Sequence, residues 1–164
     1  MKDNIVLIGM PGVGKSTAGV ILAKILGYDF IDSDLLIQKE QNMRLAELIA
    51  KYGVEGFWTI ENRVNASIVA GRAVIATGGS AVYGREAMEH FQEIGTIVYL
   101  HASYNTIARR LKNLKKRGVT LKEGQTLRDL YDERIPLYRQ YADITIEQDR
   151  MDIEGTVEQI LSRL

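Results

Sequence analysis

The chain lacks cysteine altogether, which excludes disulfides, thiolate metal sites and cysteine nucleophiles and suits a reducing compartment. It also lacks net charge. Twenty-one lysines and arginines balance twenty-one aspartates and glutamates, so nothing in the composition argues for a nucleic-acid partner, although a local basic cluster can still face a small anion. No apolar run approaches the length of a membrane span, and Met1-Lys2-Asp3-Asn4 leads into a strand pattern instead of a secretory signal. A cytoplasmic protein with no membrane partner is therefore expected. With only two prolines and no Ser/Gly-rich linker, no boundary divides the 164 residues, and a single domain over 1–164 with a real core is expected.

What the chain does have is alternation. Short apolar runs predict strands at Asn4–Ile8, Tyr28–Ile31, Ala73–Thr77, Thr96–Leu100 and Asp143–Ile146. Between them lie helical patterns: Ala18, Ile21, Leu22, Ile25 and Leu26 up to Gly27, then Asp34–Gln41, Arg44–Tyr52, Glu55–Ala70, Arg85–Gln92, Asn105–Lys116, Thr126–Tyr141 and Ile153–Leu164. Such alternation predicts an α/β fold with a parallel sheet, right-handed crossovers and helices on both faces. Ligands of these sheets sit outside the carboxyl ends of the strands.

At the end of the first strand, Gly9-Met10-Pro11-Gly12-Val13-Gly14-Lys15-Ser16 matches the phosphate-loop pattern G-x-x-x-x-G-K-[ST] at every fixed position. A phosphate chain needs inward-facing backbone N–H groups, no obstructing side chains and a cation. Gly12, Val13, Gly14, Lys15, Ser16 and Thr17 are accordingly the candidate nucleotide-binding residues, with Lys15 reaching the β- and γ-phosphates and the Ser16 hydroxyl on Mg²⁺.

Other chemistry clusters at the same edge. Asp32-Ser33-Asp34 follows the second strand, where two carboxylates can hold Mg²⁺ through water and orient or deprotonate a hydroxyl; helix capping by Ser33 or Asp34 is the simpler alternative. Thr77-Gly78-Gly79-Ser80 follows the third strand and lets backbone N–H groups approach a ligand, or forms a plain tight turn. Residues 112–125 carry Lys112, Lys115, Lys116, Arg117 and Lys122 with few apolar residues, the composition of a lid over ATP or of a solvated loop. Arg134-Ile135-Pro136-Leu137-Tyr138-Arg139 places two arginines five apart, either of which can pair with Asp132 or Glu133 instead of a ligand.

The phosphate loop, Phe30-Ile31-Asp32-Ser33-Asp34, Gly53-x-x-Gly56-Phe57 leading to Glu61, Gly78-Gly79 and Arg134-x-Pro136-Leu137-Tyr138-Arg139 together resemble the shikimate kinase family over nearly the whole chain. The resemblance implies a three-layer, nucleoside-monophosphate-kinase-like fold with a five-stranded parallel sheet and a lid near 112–125. It implies the use of ATP and Mg²⁺ to phosphorylate a hydroxyl on a small carboxylated ring, shikimate to shikimate 3-phosphate; a monomer is expected. By the same resemblance Asp34 holds and activates the hydroxyl, Asp32 and Ser16 lie at the metal, and Arg139 binds the substrate carboxylate. Arg110 lies along the adenine, Arg117 is the lid arginine, and Gly78 and Gly79 border the acceptor.

Three positions depart from the family pattern. Trp58 stands where the family has an arginine for the carboxylate, Ser80 replaces the third glycine of a Gly-Gly-Gly turn, and Gly118-Val119-Thr120 replaces Pro-Leu-Leu after the lid arginine. Ser80 is expected to be strained if its φ must be positive. With the arginine gone, Glu61 has Arg63 as its nearest basic neighbour in sequence; it is expected to touch the substrate itself, with Trp58 packed on the substrate's apolar face. Two alternatives stay open: a paralogous kinase for another small hydroxylated metabolite, and a nucleotide-binding regulatory module without phosphoryl transfer.

Overall fold

The computed structural model describes residues 2–112 and 119–164. Five strands, β1 (Asn4–Ile8), β2 (Asp29–Asp32), β3 (Ala73–Ala76), β4 (Gly95–His101) and β5 (Ile144–Glu147), form one sheet in the order β2-β3-β1-β4-β5. Every pair is parallel. β1 lies in the middle, with Val6 in register with Ile75 on one side and Ile97 on the other. Its five residues Asn4-Ile5-Val6-Leu7-Ile8 are all buried, as a strand covered on both faces requires.

Among the described residues seven helices surround the sheet: α1 (Lys15–Leu26), α2 (Ser33–Gln41), α3 (Leu45–Ala66), α4 (Arg85–Ile94), α5 (Tyr104–Arg110), α6 (Leu127–Tyr141) and α7 (Ile153–Arg163). The step from β1 to β2 runs across the sheet in one direction, and the steps to β3, β4 and β5 run in the other. Right-handed crossovers then put α1 on one face and α3, α4 and α6 on the opposite one. α7 joins α1, and α3 packs on α4. The reversal after β1 opens a crevice at the carboxyl ends of β1 and β3.

Some expected boundaries shift. The helices expected at 44–52 and 55–70 meet to form α3, broken at Gly53 (φ 74°, ψ 176°) and ending at Ala66. The helix expected to reach Lys116 leaves helical geometry at Leu111, and residues 113–118, including Arg117, lie outside the described residues. A short helical turn at Ala81–Tyr83 precedes α4. Among the described residues no helix is long and apolar enough to cross a membrane.

Candidate active site

The loop between β1 and α1 turns its backbone inward because two of its glycines take left-handed conformations, Gly12 at φ 82° and Gly14 at φ 98°. Among the described residues no side chain caps α1, which leaves its first N–H groups available to an anion. Lys15 is buried, and its ammonium donates to the carbonyls of Gly9 at 2.7 Å and Met10 at 2.9 Å. Burial lowers the Lys15 pKa to about 8, against the pull of Asp34. Val13 is a buried anchor of the loop, Thr17 lines the phosphate cleft, and Arg110 donates to the Gly12 carbonyl at 3.2 Å from the rim.

Asp32 has two roles. One oxygen accepts from the backbone N–H groups of Asp34 at 3.0 Å and Leu35 at 3.2 Å, so the cap of α2 is Asp32, not Ser33 or Asp34. The other accepts from the Ser16 hydroxyl at 3.0 Å. Capping therefore fixes the carboxylate that faces the phosphate loop. Inward backbone N–H groups, the Lys15 cation and this hydroxyl–carboxylate pair fit a triphosphate with a hard divalent cation, which takes oxygen ligands.

A second cleft adjoins the first. Pro11, Asp34, Gly78 and Gly79 line both, and the second is completed by Leu45, Phe57, Glu61, Ser80, Val119, Thr120 and Arg134. Gly78 is there because nothing larger fits: a Cβ would lie 2.6 Å from Asp34 Oδ1 and 2.9 Å from Glu61 Oε2. Burial, aided by repulsion from Asp32 and opposed by Lys15, raises the Asp34 pKa to about 6. Burial raises Glu61 further, to about 8, against the Ser80 hydroxyl, which donates to Glu61 Oε1 at 2.6 Å. Among the described residues Glu61 Oε2 has no partner. At neutral pH the second cleft thus holds one carboxylate, Asp34, and one guanidinium, Arg134, with Glu61 largely uncharged.

Several expectations about this cleft need correction. Arg139 is exposed and lines neither cleft; the arginine that enters is Arg134, 1% exposed. Arg134 shares a face of α6 with Tyr138 one turn on, whose hydroxyl donates to the Gly79 carbonyl at 2.6 Å, whereas Arg139 lies on another side of the helix. Arg63 is not beside Glu61, since it pairs with Glu40 at 2.6 Å. Ser80 sits at φ −90° and is unstrained. Its hydroxyl supplies Glu61 with a donor.

Trp58 does not line the cleft as expected but stands behind it, stacked on Tyr83 with ring centroids 4.0 Å apart, and its Nε1 donates to Thr120 Oγ1 at 3.2 Å. Arg134 Nη2 donates to the same oxygen at 2.8 Å and its Nε to the Tyr83 hydroxyl at 3.4 Å. Tyr83 and Thr120 carry no motif that marks them in the sequence. Arg134 does: it lies on the buried stripe of α6 with Leu130, Ile135 and Tyr138.

Comparison with known proteins gives the family and the fold. A family model described as shikimate kinase matches residues 11–164. Shikimate kinase of Thermodesulfovibrio yellowstonii is 38% identical, the match covering 96% of this chain and 92% of that protein. Shikimate kinase of Thiobacillus denitrificans is 34% identical over 99% of this chain and 91% of its own length. Among solved structures, shikimate kinase from Acinetobacter baumannii in complex with shikimate superposes with a TM-score of 0.87 at 34% identity, covering 99% of this chain and 93% of that one. A gluconokinase from Sinorhizobium meliloti 1021, at 18% identity and a TM-score of 0.56, shares the fold alone.

Proposed function

The chain belongs to the shikimate kinase family, and from that premise we propose that it transfers the γ-phosphoryl group of ATP to a hydroxyl of shikimate, giving shikimate 3-phosphate and ADP. The observation that carries the reading is the shared wall between the two clefts. Asp34 belongs to both, so a hydroxyl held by its carboxylate in the second cleft faces a phosphate chain held in the first.

In this reading the loop N–H groups and Lys15 bind the phosphates, Arg110 borders the nucleotide, and Arg134 draws the acceptor carboxylate into its cleft. Ser16 and Asp32 hold a magnesium ion, which when bound neutralises charge on the phosphates. Asp34 accepts the hydrogen bond, and then the proton, of the attacking hydroxyl. A carboxylate with a pKa raised to about 6 is a better proton acceptor than an ordinary aspartate while still ionised at pH 7. Catalysis rests on alignment and on charge placed before the reaction, because phosphoryl transfer asks little covalent chemistry of the protein. Arg117 and the rest of 112–125 are assigned to the lid by family resemblance. The family match supports a place in aromatic amino acid biosynthesis, and the reading takes the protein to act as a monomer in the cytoplasm.

The test is a coupled ADP-release assay with Mg·ATP and shikimate up to millimolar concentration, run beside other hydroxylated acids and amino acids. Saturable shikimate-dependent turnover supports the reading. ADP release that requires a different member of the panel, or no acceptor, overturns shikimate as the substrate.

A further inference from the structure

The family resemblance leaves the acceptor carboxylate one arginine short, since Trp58 occupies that arginine's position. The hydrogen bonds around Thr120 show what stands in its place. Thr120 Oγ1 accepts from Trp58 Nε1 at 3.2 Å and from Arg134 Nη2 at 2.8 Å. An indole N–H and a guanidinium are donors only, and a hydroxyl has two lone pairs and one proton. Both lone pairs are therefore used, and the proton must go to a third group. Among the described residues no acceptor takes it. Thr120 is 2% exposed and lines the second cleft beside Arg134, so a ligand in that cleft is the group that can receive the proton.

We infer that Thr120 is an acceptor-binding residue: its hydroxyl, turned by Trp58 and Arg134, donates to the substrate carboxylate that Arg134 attracts. The inference rests on the functional reading above and deepens it. One guanidinium and one oriented hydroxyl replace two guanidinium groups. Trp58 is then a positioning residue, acting through Thr120 and held in place by its stack on Tyr83. The two departures from the family pattern, at 58 and 120, form one device joined by a hydrogen bond across 62 residues of sequence.

The chain has a single tryptophan, so its emission reports on this cluster directly. Shikimate binding is measured by Trp58 fluorescence, and acceptor KM by ADP release, for the native chain, Thr120→Val and Thr120→Ser. Loss of a hydrogen bond to a charged group is expected to raise Kd and acceptor KM of Thr120→Val about 10- to 100-fold, beyond any change in kcat, with ATP KM unmoved. Thr120→Ser keeps the hydroxyl and is expected to stay within about threefold of the native chain on the same scale. Trp58→Phe, followed by ADP release, keeps the stack on Tyr83 but frees one lone pair of Thr120, and is expected to raise acceptor KM by less than Thr120→Val does. If Thr120→Val binds shikimate as the native chain does, or if Thr120→Ser is the weaker of the two, the threonine serves through its methyl group and the inference falls while the functional reading stands. A native chain that neither binds nor turns over shikimate overturns both.

Discussion

Replacing Glu61 by glutamine should make the protein more resistant to alkaline destabilisation. Burial lifts the Glu61 carboxyl from its ordinary value of 4.5 to about 8, so between these values the folded chain holds a proton that the unfolded chain has released. The stability this proton linkage provides is fully present below pH 4.5 and is lost as pH rises toward 8. Each pH unit in that window costs about 1.4 kcal/mol, so Glu61 alone lowers stability by about 4 kcal/mol between pH 5 and pH 8. Glutamine has nearly the same shape, and its carbonyl can still accept from Ser80. The linkages of Asp34 and Lys15 are present in both proteins and cancel to first order. Urea unfolding at pH 5, 6, 7 and 8 should therefore give curves for Glu61→Gln and the native chain that lie close together at pH 5 and diverge steadily, the variant being the more stable. A constant difference across the series would refute the reasoning, because it would mean that Glu61 does not change its protonation on folding. A difference of the opposite sign would mean that Glu61 is ionised beside Arg134 and stabilises the fold as a charge.

Lys15→Ala should reduce kcat by two or more orders of magnitude, since it removes the cation at the phosphates, while urea unfolding shows no loss of stability, because a buried, desolvated ammonium is removed with it. The profile of kcat/KM against pH should rise through about 6 as Asp34 ionises, and Asp34→Asn should abolish this limb and lower kcat by about 10²- to 10⁴-fold. Arg134→Ala should raise acceptor KM about 10- to 100-fold, and Arg139→Ala far less, both read by ADP release; equal effects would contradict the placement of the two arginines.

The phosphate loop was legible in the sequence because backbone geometry there dictates residue identity: left-handed conformations and close approach call for glycine at fixed spacing, and a lysine must follow. The centre of the sheet was legible too, since β1 and β3 are short apolar runs without polar alternation, the pattern of strands covered on both faces. The acceptor side was harder for a different reason. Arg134 and Arg139 look alike in a motif, and only helix phase separates them: five residues turn about 140° on from one whole turn, which carries Arg139 off the stripe of Leu130, Arg134 and Tyr138. That stripe was present in the sequence, but its relation to the cleft depends on where α6 docks. The partnership of Trp58 with Thr120, and the ordinary φ of Ser80, depend on how distant segments meet and have no local signal.

Pro11, Asp34, Gly78 and Gly79 make the partition between the two clefts only one layer of residues thick. For ligand design this thinness is an opening. A polyphosphate mimic and a carboxylated ring, each a weak binder of its own cleft, could be joined by a tether of a few atoms past Asp34. The second half would then bind at the effective concentration set by so short a linker, in the millimolar range or above, and the tethered pair would gain affinity of about 10²- to 10⁴-fold without any new contact.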